Sequence, residues 1–216
     1  MAKVEVLGVF GDDLMVVNAA RVSFHKESKV MNPHDERLIK YLARHNHITP
    51  FFHPQVQFRI RMPIFVAREW YRHQIGFARN EVSRRYVDET PECFVPDYLR
   101  QRDAKIKQGS SSEKVEDNDS CLSLINTLQT TAVEVYEELL KKGVCPEQAR
   151  IVLPQSMYTE FIETGSLAAY ARLCKLRLDP HAQREIQVYA EMISDILSEK
   201  FPVSWKALTE VTDGSN

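Results

Sequence analysis

A chain of 216 residues, 44% apolar and 27% charged with a net charge of −2, has the composition of a globular protein able to bury a sizeable core. No apolar run reaches the roughly eighteen residues of a membrane span, and MAKVEVLGVFGDD lacks a secretory signal's basic, apolar and small-residue succession, so neither is expected. A pI near 6.4 argues against a dedicated nucleic-acid binder, and the scattered Cys93, Cys121, Cys145 and Cys174 read as reduced thiols of a cytoplasmic protein.

Weak alternation over residues 3–10 predicts a first strand, after which Asp12 or Asp13 caps a short helix to about Arg21. Asn32 and Pro33 open a second helix with Leu38, Ile39, Leu42 and His45 on one face. After a turn at Thr49-Pro50, QVQFRIR at 55–61 alternates Val56, Phe58 and Ile60 against Gln57, Arg59 and Arg61, the period of a half-buried strand. Pro63 starts a helix through about Gln74. The polar run KQGSSSEKVEDNDS predicts a mobile surface loop at about 107–120.

From Asp119, the positions Leu122, Ile125, Leu128, Ala132, Val135 and Leu139 predict an amphipathic helix ended by Gly143. A short helix follows from Pro146 and stops before Pro154, and residues 155–164 look extended. Ser166 caps a helix through about Leu176, and Asp179-Pro180 caps a last one to about Lys200. With strands mostly early and helices mostly late, the expected fold is α+β. It is read as a single domain over 1–216, with a small antiparallel sheet and several packed helices.

Seven of the sixteen arginines fall within residues 59–85, where there is no lysine and only Glu69 and Glu81 oppose them. Seven cations less two acids leave a local island of +5 in a nearly neutral chain. Arginine has a rigid fork that matches phosphate and carbonyl pairs and stays charged when partly desolvated, so the island suits a phosphorylated, planar ligand. If 81–86 is extended, Glu81, Ser83 and Arg85 stand in one row, against the plainer reading of Ser83 as a turn hydroxyl. On the predicted 64–75 helix, Arg68 and Arg72 share one face, and Glu69 and His73 share the next. Arg150 reads equally as a snorkelling surface residue, and Arg177 as a cation favoured at a helix C-terminus. His45, His47 and His53 lack further ligands at metal spacing, so no metal is expected and ring stacking or hydrogen bonding is preferred. No G-x-G-x-x-G or Walker loop is present, so a flavin or nicotinamide must be held in another way.

The run Arg72-His73-Gln74, followed after eight residues by Ser83 in AREWYRHQIGFARNEVSRRY, resembles the signature of the flavin-dependent thymidylate synthases. AARVSF at 19–24, HITPF at 47–51, PIFVAREW at 63–70, ARIVLP at 149–154 and LRLDPHAQREIQ at 176–187 follow in the family's order. The resemblance covers about residues 17–200. It departs in having Gln74 where Arg is common, eight residues instead of seven before the serine, and Phe52 where Glu is frequent.

The resemblance implies that Thr49, Arg72, His73, Gln74 and Glu81 contact FAD, with His47, Asn80, Ser166 and Arg172 as further candidates. It implies that dUMP meets Glu69, Arg72, Glu81, Val82, Ser83, Arg84, Arg85 and Arg150, with Arg177 beside the uracil ring. The implied reaction is reductive methylation of dUMP to dTMP, with methylenetetrahydrofolate as carbon donor and NADPH-reduced FAD as hydride source. Arg177 is the expected electrostatic catalyst, Ser83 a hydrogen-bond donor, and no cysteine a nucleophile. The family's homotetramer, with active sites shared between subunits, is implied too; no nucleic acid and no membrane partner is expected. The readings left open are a nucleotide- or RNA-binding module, which predicts a colourless protein, and a flavoprotein relative of altered substrate.

Overall fold

The structure, a computed structural model, describes residues 2–87, 89–103 and 110–210. In chain order the elements are β1 (Lys3–Phe10), α1 (Asp13–Arg21), α2 (Pro33–Arg44), β2 (Gln55–Pro63), α3 (Ile64–Trp70), β3 (Phe77–Glu81) and β4 (Arg100–Arg102). There follow β5 (Ser110–Lys114), α4 (Asn118–Lys141), α5 (Pro146–Ala149), β6 (Tyr158–Ser166), α6 (Leu167–Arg177), α7 (Arg184–Lys200) and α8 (Pro202–Thr209). The fold is α+β, with a small antiparallel sheet in the order β1-β2-β6-β3 and a separate antiparallel pair, β4-β5. In β2 the expected alternation holds: Val56, Phe58 and Ile60 are fully buried while Gln57, Arg59 and Arg61 are half-buried.

The described chain packs as two compact units. One comprises residues 3–60, 73–79 and 162–210. Its centre is α6, buried at Leu167 through Ala171 and at Leu173 and Cys174, against α7, which buries Ile186, Tyr189, Ala190, Ile193 and Leu197 at helical spacing. Asp12, not Asp13, caps α1, accepting from the Met15 amide at 2.9 Å. Asp13 is buried and instead accepts from the amides of Val203 and Ser204 at 2.9 and 2.8 Å, satisfying the first turn of α8. Asn32 and Ser166 cap α2 and α6 as expected. Glu163, fully buried on β6, pairs with Arg79 of β3, whose guanidinium also lies 4.7 Å from the centre of the Phe77 ring. Gly165 is required here, since a Cβ would meet the Phe77 ring carbons at 2.6 Å.

The other unit comprises the described residues of 61–72 and 80–161. Met62, Val66, Trp70, Tyr136, Ala149, Met157 and Phe161 form its buried apolar set. α4 is turned away from the expected orientation, because Leu128 and Val135 are 66% and 42% exposed while Asn118, Gln129 and Tyr136 are buried. Polar anchors set that rotation. The Gln129 amide donates to the Phe94 carbonyl and the Ser156 hydroxyl, and the Asn118 side chain accepts from the Leu99 amide.

Three expectations on element ends are corrected. α3 stops at Trp70, four residues early, as the chain turns to bury His73. α7 begins at Arg184, because Asp179 closes a local turn onto the His181 amide and Gln187 donates to the carbonyls of Asp179 and Ala182. That His181 amide and ring also hold the Asp179 carboxyl below its usual range. The helix to Lys200 is followed by a further one, α8. Of the polar run expected to be mobile, 107–109 lie outside the described residues, Ser110–Lys114 form β5, and Asn118 opens α4.

Candidate active site

In the unit of 61–72 and 80–161, the end of β3 carries most of the expected nucleotide ligands. Glu81 is exposed, and its carboxylate accepts from the Thr159 hydroxyl at 2.5 Å. Thr159 is itself buried on β6, so this bond fixes an exposed acid to the sheet. The Val82 amide donates to the Glu160 carbonyl at 2.9 Å. There the strand ends. The Ser83 hydroxyl accepts from the Arg85 amide at 3.3 Å and the Tyr86 amide donates to the Ser83 carbonyl, making a turn. The expected extended row of Glu81, Ser83 and Arg85 is therefore corrected to a strand end followed by a turn, which sends Arg84 and Arg85 to different partners. Arg84 reaches the Glu89 carbonyl, and Arg85 pairs with Glu147 at 3.1 Å.

A cavity of about 410 Å³ opens beside this turn, lined among others by Arg61, Glu81, Val82, Arg84, Arg150 and Tyr158. The Arg61 guanidinium lies 4.1 Å from the centre of the Tyr158 ring and bonds Glu92 at 2.6 Å. Burial pushes the Tyr158 hydroxyl above its ordinary pKa, against the pull of Arg61. Arg150 follows α5, with its Nε donating to the Glu147 carbonyl at 3.3 Å. Glu69 is half-buried on α3, whereas Arg72 and Asn80 are exposed. With α3 ending at Trp70, the expected helical pairings of Arg68 with Arg72 and of Glu69 with His73 do not form on one helix.

In the unit of 3–60, 73–79 and 162–210, His73 is buried and accepts at Nε2 from Arg177 Nε at 2.9 Å. That geometry needs a lone pair on Nε2, so the imidazole is neutral with its proton on Nδ1. Gly76, at a φ of +83°, brings its loop over the start of α6. Its carbonyl accepts from the Ser166 amide, and a Cβ there would meet Ala169 at 2.9 Å. Arg172 donates to the Ile75 carbonyl at 2.5 Å, tying α6 to the same loop. Ser166 is buried with its hydroxyl accepting from the Ala169 amide, so it shapes the helix start. His47, Thr49 and Gln74 are exposed, and the His47 ring lies 6.1 Å from that of Tyr41.

Arg61 belongs to the arginine island read from the sequence, whereas Thr159, Glu147 and Tyr158 carried no such expectation. The signal for Thr159 was a polar residue in phase with buried Phe161 and Glu163 on β6. Nothing in the sequence indicated Glu147, which reads as an ordinary first-turn acid.

The family model described as thymidylate synthase complementing protein matches residues 5–203. A flavin-dependent thymidylate synthase from Thermosipho africanus is 42% identical over 205 residues, 94% of this chain and 88% of that protein. One from Thermus thermophilus is 39% identical over 207 residues, 96% of this chain and 75% of that protein. Among solved structures, a UMP/dUMP methylase, PolB, from Streptomyces cacaoi bound with 5-Br dUMP is similar at a TM-score of 0.88 and 32% identity, covering 97% of this chain and 95% of that one. Matched nearly from end to end, the chain belongs to the thymidylate synthase complementing protein family, that of the flavin-dependent thymidylate synthases.

Proposed function

We propose that this enzyme converts dUMP to dTMP by reductive methylation, with methylenetetrahydrofolate as carbon donor and NADPH as reductant. The observation that carries the reading is the half-buried Arg177 guanidinium held by the neutral His73 ring, a fixed cation suited to a planar ring carrying carbonyl groups. C5 of uracil is a weak carbon nucleophile. Arg177 beside O2 and N3 stabilises the negative charge that develops as the ring is polarised, an effect of about 3–4 kcal/mol per preorganised donor in a dry site. The phosphate rests on Arg84 and Arg150, which line the cavity, and on Arg85 of the same turn as Arg84, and Glu81, held by Thr159, faces the same nucleotide. Ser83 accepts from a backbone amide, which leaves its proton to donate to the nucleotide.

The exposed Thr49, Gln74, Arg172 and His47 fit FAD as cationic or neutral donors to a pyrophosphate or a ring edge. Arg72, His73, Asn80 and Glu81 complete the set, and Ser166 takes part through the helix start it caps. When bound and reduced by NADPH, the flavin supplies the hydride, so the protein's part is to position and polarise. The homotetramer belongs to the same reading, supported by the exposed apolar stripe Leu124, Leu128 and Val135 on α4.

No thiol is needed. Cys174 is buried, and burial, with the Glu163 carboxylate behind it, pushes its pKa far above the ordinary thiol value. Burial also raises that of Cys93. Replacing all four cysteines by serine is therefore expected to leave turnover largely intact in the folded variant; an inactive but folded variant points to a thiolate nucleophile. The reading as a whole is tested by incubating the FAD-loaded protein without oxygen with NADPH, methylenetetrahydrofolate and dUMP, with UMP as a parallel arm. dTMP is the expected product, and a folded, yellow protein that makes none from dUMP contradicts it.

A further inference from the structure

We propose that Glu147 is a positioning residue whose carboxylate aims Arg85 at the nucleotide phosphate, while its backbone carbonyl holds Arg150. The inference rests on the reading above, in which Arg85 and Arg150 grip that phosphate. Glu147 lies in the first turn of α5 and contacts both guanidinium groups. Its carboxylate Oε2 stands 3.1 Å from Arg85 Nε, and its backbone carbonyl accepts from Arg150 Nε at 3.3 Å. Both grips engage Nε, on the edge of the fork nearest the side-chain stem. The outer edge, formed by the two Nη groups, is the one that closes on a pair of phosphate oxygens from the front.

A long side chain held at Nε has given up part of its rotamer freedom before the ligand arrives, so less ordering is left to the binding step. The Arg85 side chain is steadied further by the Tyr86 ring, 5.7 Å from its guanidinium carbon, and its backbone by the hydrogen bond its amide donates to the Ser83 hydroxyl. Both side chains of the Arg85–Glu147 pair are about half exposed, at 52% and 53%. Such a pair adds little to fold stability, so its consequence lies in where it aims Arg85. A carboxylate that merely competed with phosphate for Arg85 would act in the opposite direction, which makes the sign of the effect decisive.

Dissociation constants of the FAD-loaded protein for dUMP and for deoxyuridine, measured by calorimetry, separate these cases. Glu147→Gln keeps the backbone carbonyl and removes the charge. It is expected to weaken dUMP about two- to fivefold, the range open to an exposed charge pair. Deoxyuridine, which has no phosphate, is expected to bind as before, and the melting temperature to stay put. Adding Glu147→Gln to Arg85→Ala should then have no further effect, because the acid acts through that arginine. Unchanged or tighter dUMP binding by Glu147→Gln, with Arg85→Ala clearly weakened, overturns the role given to Glu147. Wild-type affinity in Arg85→Ala instead overturns the phosphate site itself, and this proposal with it.

Discussion

Arg177→Ala is expected to lower tritium release from dUMP labelled at C5 by about 10²–10³-fold while the protein keeps its flavin. The size follows from the setting. Arg177 ends α6, half-buried, and its Nε is taken by the buried His73 ring at 2.9 Å, so the guanidinium plane is set before any ligand arrives. A fixed cation where charge develops lowers the barrier without reorganising, whereas a flexible exposed one is screened by water. Arg177→Lys should recover little, since an ammonium has neither the Nε–H that His73 takes nor a planar fork. His73→Ala should reproduce part of the loss by freeing the guanidinium to turn. Near-normal tritium release by a flavin-loaded Arg177→Ala protein would remove Arg177 from the chemistry.

The largest loss of stability is expected from Arg79→Ala. Glu163 is fully buried, and burial together with that carboxylate raises the pKa of the neighbouring Tyr170 hydroxyl. Removing Arg79 takes the ion-pair partner from a fully buried acid, a change that costs about 3–5 kcal/mol. For a chain of this size that corresponds to a fall in melting temperature of about 6–20 °C. Adding Glu163→Gln to Arg79→Ala should recover much of it, because a neutral amide is cheaper to bury than a carboxylate that has lost its cation. Melting curves of the single and double variants decide the matter. An unchanged midpoint in Arg79→Ala would mean that other groups already compensate Glu163.

The parts of the fold legible in the sequence are those whose cause is local. Val56, Phe58 and Ile60 announce β2 by period alone, and Asn32 and Ser166 mark helix starts because a cap bonds within three residues. The misses have remote causes. α8 begins on a carboxylate from Asp13, 190 and 191 residues away, which no window along the chain can see. The apolar positions of α4 signal a helix but not its rotation, which Gln129 and Asn118 settle through loop carbonyls and amides. β5 is a run of serines and charges with no strand period, made a strand by pairing with Arg100–Arg102.

The site divides in the same way. The residue types proposed for the site come from motifs, and the arginine island raises the expectation of an anionic, planar ligand. The bonds that aim those residues were not, since His73 and Arg177 lie 104 residues apart and Glu81 and Thr159 lie 78 apart.

A single-turnover experiment tests the central claim most directly. The FAD-loaded protein is reduced with one equivalent of NADPH without oxygen, the nicotinamide is removed, and dUMP and methylenetetrahydrofolate are added together. Reoxidation of the flavin in step with the appearance of dTMP, one for one, is the predicted result. dTMP formed while the flavin stays reduced, or flavin reoxidised with no dTMP, would contradict it.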